Sequence, residues 1–436
     1  MDPLITGLLA IVAMLVAIAL GVPVGLGMAA VGFVGMALFA GLPFALGTLT
    51  TLPYSMSAQY VFVVVPMFLL MGSLASVSGI TSELYTSAHR VFSGVRGGLY
   101  YATVVASAMF SAVTGSTVVA SAVFTRIALP EMIRFGYRSS VAAGCIAASG
   151  TFAALIPPSI SMVVYGILTG ESIGALLMAG LVPGLVTVLA YIVGIRVMLA
   201  LRPDWAPAET KPYGLREIVQ SFRGLWGMVL LIIVVLGGIY SGIVAPSAAG
   251  TIGAAGALLI CLMRRRLSAR NFWDSLAQSV STTSVLFLII IGGEIFSRFL
   301  LSVGFVDGML ELVEGAGITP AMFIILTVVM LLILGIFLDT LSMMIMTIPF
   351  LYPILISMGM SGIWFGVIFV KLCEIAAISP PVGLNLSAVV GSSNKAVTSS
   401  EVFRGVAPFL VIETLVLIVL LVLPELSLWL PNMMMQ

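Results

Sequence analysis

Along this chain, apolar residues run in long unbroken blocks and do not alternate with polar ones. That pattern predicts helices that are apolar all round, as in a membrane interior. A span needs about 20 apolar residues. Blocks of that kind lie near residues 4–20, 24–40, 60–77, 139–169, 174–200, 224–241, 248–263, 276–303, 362–391 and 405–423. Two further stretches, 99–134 and 320–357, read differently. Each is a pair of apolar arms of roughly 15 residues, about 22 Å as helix, too short to cross comfortably. The arms meet at polar or glycine-bearing tips, TGST (Thr114 to Thr117) and LDT (Leu338 to Thr340), so each pair predicts a re-entrant hairpin.

Two of the long blocks interrupt themselves. "LIPPSISMVVYGILTG" from Leu155 and "ISPPVGLNLSAVVGSS" from Ile378 place Pro157-Pro158 and Pro380-Pro381 inside otherwise helical runs. In hydrocarbon every backbone N–H and C=O needs a partner, so broken helix is tolerated only where protein or a polar cavity surrounds it. A lone transmembrane proline reads as a kink that neighbouring helices absorb. Two Pro-Pro breaks facing two hairpin tips read instead as a site: helix C-termini and freed carbonyls suit Na⁺, while half-helix N-termini suit an anion.

The breaks and tips also repeat. Aligning "GSTVVASAVFTRIALPEM" with "LDTLSMMIMTIPFLYPIL" pairs Ser116 with Asp339, Pro130 with Pro353 and Pro157 with Pro380, each 223 positions apart. Beyond the breaks, "GLVPG" (Gly180 to Gly184) matches "GVAPF" (Gly405 to Phe409) with two residues inserted. Each repeat therefore reads as helix, hairpin, broken helix, helix.

Composition fixes the solvent: of 436 residues, 61% are hydrophobic and 8% charged, against about 25% charged in soluble domains. This is a polytopic membrane protein. A net charge of +1 and a single basic cluster, "RRRLSAR" from Arg264, give no argument for nucleic acid and read as a topology signal. Cys145, Cys261 and Cys373 stand singly, and His89 is the sole histidine, so neither a disulfide framework nor a zinc site is suggested. No GxxxxGK[ST], HExxH or GxSxG occurs, and no catalytic residue is assigned. The N-terminus lacks a positive n-region and reads as a first span.

Lys and Arg positions set the orientation. Arg90, Arg96, Arg134, Arg138, Arg202, Lys211, Arg216, Arg223, Arg264, Arg265, Arg266, Arg270, Lys395 and Arg404, 14 of the 18 basic residues, can share the cytoplasmic side. The opposite loops (41–59, 170–172, 242–247, 304–319 and 358–361) hold none. The first hairpin then enters from the cytoplasm and the second from outside, which makes the repeats inverted.

With these motifs in view, "GVRGGLYYATVVASAMFSAVTGSTVVASAVFTRIALPEMIRFGY", "LIPPSISMVVYGILTGESIGALLMAGLVPG" and "CEIAAISPPVGLNL" resemble the large membrane (M) subunit of TRAP transporters, the tripartite ATP-independent periplasmic family, over essentially the whole chain. The resemblance implies an all-α polytopic membrane protein with inverted-topology repeats, two re-entrant hairpins and two broken helices, in an elevator-type ion-transporter superfamily fold. Its parts would be N-terminal scaffold spans (1–59), repeat 1 (60–200, with arm helix, hairpin 99–134 and broken helix 139–169), cytoplasmic loops and linking scaffold helices (201–275), and repeat 2 (276–430, with hairpin 320–357 and broken helix 362–391). It implies a bacterial inner-membrane protein that imports an organic acid with Na⁺ as coupling ion. The partners implied are a small four-helix membrane subunit on a separate chain and a periplasmic substrate-binding protein. A first Na⁺ site would comprise Gly115, Ser116, Thr117, Ser149, Gly150, Thr151 and Pro157. A second would comprise Asp339, Thr340, Ser379, Pro380, Gly383 and Asn385. Substrate would meet Ser116, Thr117, Pro158, Ser159, Pro381 and Asn385.

A carboxylate at membrane depth costs about 2.5–3.5 kcal/mol on insertion scales, so Asp339 needs a cation or donor partner; a helix cap is the compatible alternative. Lys371 and Glu374, three apart, read as an intrahelical pair in preference to an ion relay, and the resemblance, through its E…PPvGlN pattern, implies that Glu374 braces the break; Glu294 and Arg298, four apart, read as pairing within the span or against the scaffold. Glu413 has no candidate partner, and Arg126 reads as snorkelling to the cytoplasm. Residues 82–97 read as an amphipathic interfacial arm. Rival readings are a self-sufficient carboxylate symporter of related fold and an ion or anion channel with the hairpins as constriction. An intramembrane enzyme stands third, since the tips offer no nucleophile with a base.

Overall fold

Glycine, proline and small capping side chains set the ends of the helices into which the apolar blocks fold. The computed structural model describes residues 2–207 and 212–434, which form helices and turns with no strand. Lys211, placed above on the cytoplasmic side, lies outside the described residues. The chain begins with α1 (Pro3–Ala19), α2 (Val24–Phe39) and α3 (Leu42–Ser57). Residues 41–59, read above as an external loop, are mostly helix α3. Gly41 turns the chain at φ 95°, and Pro43 falls in the first turn, where its missing N–H costs nothing.

The next elements are α4 (Val64–Val77), the arm helix α5 (Ile80–Phe92), the pair α6 (Gly98–Thr114) and α7 (Thr117–Arg134), the interrupted helix α8 (Ser139–Ser149) and α9 (Ile160–Thr169), and α10 (Ile173–Leu201). Helix α5 is amphipathic as its pattern implies, burying Leu84, Tyr85 and Ala88 while exposing Ser82 and Thr86. Linking helices follow: α11 (Leu215–Phe222), α12 (Trp226–Ile232), α13 (Gly238–Tyr240) and α14 (Pro246–Met263). A π-helical turn, Ile233–Gly237, joins α12 to α13.

The same order of elements then recurs as α15 (Ala269–Ser302), the short α16 (Phe305–Gly315), the pair α17 (Pro320–Leu334) and α18 (Thr340–Ser357), the interrupted helix α19 (Gly362–Ala377) and α20 (Leu384–Ser392), and α21 (Ser399–Val422). Helix α22 (Glu425–Met434) ends the described chain. Helix α15 starts ahead of its apolar block because Ser268 caps it, accepting from the Asn271 N–H at 3.1 Å. Residues 304–319, read as an external loop, are mostly helix α16. At the start of α21 the Thr398 N–H and hydroxyl both donate to Glu401, which holds that exposed carboxyl below its usual range.

Among the described residues, seven helical stretches are long and apolar enough to cross a membrane by length and composition. Helix α15 packs along α2 and α4, α14 along α4, and α8 against α21. The α8–α21 seam is a backbone contact, since a Cβ on Gly405 would stand 1.7 Å from the Ser140 carbonyl oxygen. Small residues are what allow helices to approach so closely in lipid. Outward faces stay apolar: Leu185, Leu189, Val193 and Val197 form an exposed stripe along α10, a surface suited to acyl chains.

Candidate functional site

The first tip is the two-residue link Gly115–Ser116 between α6 and α7. Gly115 takes φ +60°, and a Cβ there would lie 2.4 Å from the Pro158 carbonyl oxygen, so only glycine fits. Its own carbonyl accepts from the Ile160 N–H at 3.4 Å, which ties the tip to the first break by backbone. Ser116 caps α7, its hydroxyl accepting from the Val119 N–H at 3.5 Å. Thr117 opens the helix beside it, and both are half-buried.

The first break is wholly buried from Ser149 through Ser159. The Pro157-Pro158 bond is cis, as is Pro380-Pro381. The terminal carbonyls of α8 are satisfied by side chains: Ser107 donates to Ser149 (2.9 Å), Thr151 to Ala148 (2.7 Å) and Asn385 to Ala147 (3.2 Å). Ser159 donates to the Ala154 carbonyl and caps α9 by accepting from the Met162 N–H at 3.1 Å. Gly150 abuts Ser121 of α7, whose fully buried hydroxyl has no partner. Sequence reading missed Ser121. The available signal was its position one helical turn beyond Thr117, on the face that leads to the break.

The second tip is longer, a turn over residues 335–339. Asp339 caps α18: its carboxylate accepts from the Leu341 N–H at 3.2 Å, the Ser342 N–H at 3.4 Å and the Ser342 hydroxyl. The cap expected as one role for Asp339 is thus present. Between this tip and the second break lies a cavity of about 210 Å³, walled by Asp339, Thr340, Gly383, Leu384 and Val24 of α2. Pro380, Pro381 and Val382 are exposed, and Ser379 turns its hydroxyl back to the Ile375 carbonyl at 2.7 Å. Asn385 does not stay with this group. It is fully buried, donates across to Ala147 at the first break, and leaves its Oδ1 without a partner. The structure therefore brings the residues of each tip to their own break and moves Asn385 from the second group to the first.

Behind the second break sits an ionic cluster. Lys371 Nζ lies 2.8 Å from Glu374 Oε2, pairs with Glu413 Oε2, and donates to Thr187 Oγ1 at 3.1 Å. The Tyr191 hydroxyl donates to Glu413 Oε1 at 2.5 Å. The intrahelical Lys371–Glu374 pair is as the spacing implied, but Glu413 is not alone. Its partners Lys371, Tyr191 and Thr151 come from other segments, so no periodicity within α21 could reveal them. Among the described residues no ion pair joins Glu294 to Arg298. Arg126 is exposed.

An all-helical chain with two interrupted helices, each facing a tight helical pair, has the build of a multi-pass membrane transporter. The solved structure of the Alcanivorax borkumensis YdaH transporter shares this fold, with a TM-score of 0.57 at 15% identity over 90% of each chain. More specifically, residues 11–426 match the family described as "Tripartite ATP-independent periplasmic transporter, DctM component". The chain belongs to that family: it is the large permease component of a tripartite transporter, a multi-pass inner-membrane protein that is not an enzyme. Among its relatives is the C4-dicarboxylate TRAP transporter large permease protein DctM of Pseudomonas aeruginosa, 34% identical over 87% of this chain and 88% of that one. The sialic acid TRAP transporter permease protein SiaT of Haemophilus influenzae is 27% identical over 88% of this chain and 61% of that longer one. The isethionate TRAP transporter permease protein DctMQ of Oleidesulfovibrio alaskensis is 27% identical over 91% and 65%.

Proposed function

We propose that this permease component imports an organic acid anion, driven by Na⁺ and delivered by a periplasmic binding protein, through an elevator movement of its hairpins and broken helices against a scaffold. The observation that carries this reading is the cavity at the second break. It sets the Asp339 carboxylate and the Gly383 carbonyl region, apt for a cation, beside the N-terminus of α20, apt for an anion. The first group (Gly115, Ser116, Thr117, Ser149, Gly150, Thr151, Pro157), joined by Asn385, supplies carbonyl and hydroxyl oxygens for the other Na⁺. The relatives named above handle a C4-dicarboxylate, sialic acid and isethionate, all organic acids, and the substrate here is of that class.

The α6–α7 and α17–α18 pairs are read as re-entrant from opposite sides, on the basic-residue asymmetry and the 223-residue repeat. In that orientation Val24 lies at the cytoplasmic end of α2, so the cavity it borders opens inward. A small membrane subunit on a separate chain and the binding protein complete the system. The test is reconstitution in liposomes with the small subunit, an inward Na⁺ gradient and loaded binding protein outside. Accumulation of the anion without ATP is the expected result, with no activity from this chain alone. Accumulation by the chain alone would favour a self-sufficient symporter. Uncoupled downhill flux under every condition would favour a channel.

A further inference from the structure

One helical stretch is longer than the membrane it crosses. Leu215–Tyr240 runs through α11, α12 and α13 for 26 residues, about 39 Å as helix against about 30 Å of hydrocarbon. Its charges, Arg216, Glu217 and Arg223, all fall at its start, so the excess length lies at that end, in the headgroup layer. The basic-residue asymmetry makes this the cytoplasmic end. Exposed apolar side chains nevertheless continue through it. Leu215, Val219, Phe222, Trp226, Leu230 and Ile233, spaced by three or four, share one face that runs from the headgroup layer into the span. Another side of α11 packs on the arm helix α5, where Ser87 donates to the Ser221 carbonyl at 3.0 Å and Arg90 to the Glu217 carbonyl at 3.3 Å.

The end of α14 meets this face. Arg264 lies 5.5 Å from the centroid of the Trp226 ring, donates to the Gly224 carbonyl at 2.7 Å and pairs with Glu83 at 2.6 Å, so it is engaged within the protein. Its neighbours are not. Arg265 and Arg266, like Arg216 and Arg223 of the long helix, are exposed, and none of the four has an ion pair among the described residues. Arg266 extends over Gly79, where a Cβ would stand 2.1 Å from its Nη1. The nearby Glu217 turns its carboxylate to the Gly214 N–H at 3.1 Å. Unpaired arginines at headgroup level attract acidic lipid by charge, and their planar forks match a phosphate. We propose that this corner binds an anionic phospholipid, with its phosphate on Arg223, Arg265 and Arg266 and its acyl chains along Trp226, Leu230 and Ile233. A free phosphate would leave the apolar face uncovered, whereas a lipid covers both parts at once. The run that reads as a topology signal thereby also holds a ligand, apart from the proposed Na⁺ and substrate sites.

The test is tryptophan quenching in bilayers that mix phosphatidylcholine and phosphatidylglycerol, one or the other dibrominated high on its acyl chains, with the full chain reconstituted together with its small membrane subunit. Bromine quenches tryptophan on close approach, and subtracting the signal of Trp226→Phe isolates Trp226 from the other four tryptophans. Phosphatidylglycerol should bind at Trp226 at least about fivefold more tightly than phosphatidylcholine at low salt, and the preference should shrink as salt rises. Arg223→Gln and Arg265→Gln should each lower it. With Arg223→Gln, Arg265→Gln and Arg266→Gln combined, the two lipids should bind equally. Arg404→Gln, which removes a cytoplasmic charge on α21, should keep the wild-type preference. Equal quenching by the two lipids in wild type would overturn the proposal, and so would a preference that survives the triple substitution. Absence of quenching by either lipid would also overturn it, by showing that the small subunit or another protein covers this face.

Discussion

The two tip-and-break pairs share an order of elements and differ in packing. The first is sealed: the Gly115 carbonyl meets the Ile160 N–H, and every residue of its break is buried. The second is parted by a cavity of about 210 Å³, with Pro380, Pro381 and Val382 exposed. Residues at matching positions of the 223-residue offset explain the difference. Leu338 stands where the first tip has Gly115, and a side chain there bars the backbone approach that glycine permits. Val382 stands where the first break has Ser159, whose hydroxyl ties back to Ala154 and caps α9. One tip-and-break pair therefore has the chemistry to close on itself and the other has the chemistry to stay apart, an asymmetry suited to a site with one sealed and one accessible side.

The comparison breaks most sharply if the sealed tip is given the residue of the open one. Gly115→Leu forces a side chain at φ +60° into the Pro158 carbonyl. It should destabilise the protein by about 3 kcal/mol, read as a lowered thermal unfolding midpoint, and abolish uptake in the reconstituted system. Wild-type uptake from this variant would show that the seal is dispensable.

A smaller effect is expected at the open tip. Asp339→Ala removes a cap and should cost about 1 kcal/mol, whereas Asp339→Ser keeps a capping oxygen and should restore most of that. Both variants should lose Na⁺ activation of uptake if the carboxylate also serves the cation. Normal Na⁺ activation in Asp339→Ser would reduce Asp339 to a cap. The smallest stability change belongs to Ser121→Ala, which removes a buried hydroxyl that has no partner. Stability should move by less than about 1 kcal/mol, while the Na⁺ concentration for half-maximal uptake should rise, because Ser121 abuts Gly150 at the first break. An unmoved Na⁺ response would place that ion away from Ser121.

Much of the fold was legible along the chain because lipid leaves few options. The apolar runs 139–169 and 362–391 start and stop within a residue of the outer ends of α8–α9 and α19–α20, and Gly115 marks the first tip, but α8 stops at Ser149, eight residues ahead of Pro157. Helices α3 and α16 were not legible as helices, since their short mixed-polarity sequences lack a spanning block and were read as loops. Asn385 was placed with its neighbours in sequence, yet packing of α20 against α7 and α8 carries it to the first break. Glu413 looked unpartnered for the same reason: its lysine arrives from α19 and its hydroxyl donors from α10 and the first break. What local pattern could not supply was contact between distant helices.

The central claim is that one break is sealed while the other opens to the cytoplasm. It is tested most directly by single cysteines, Val382→Cys and Ser159→Cys, in a protein lacking Cys145, Cys261 and Cys373, probed with a membrane-impermeant maleimide from each side. The account predicts rapid labelling of Val382→Cys from the cytoplasmic face only, and none of Ser159→Cys from either face. Labelling of Val382→Cys only from the periplasm, or equally fast labelling at both positions, would contradict it.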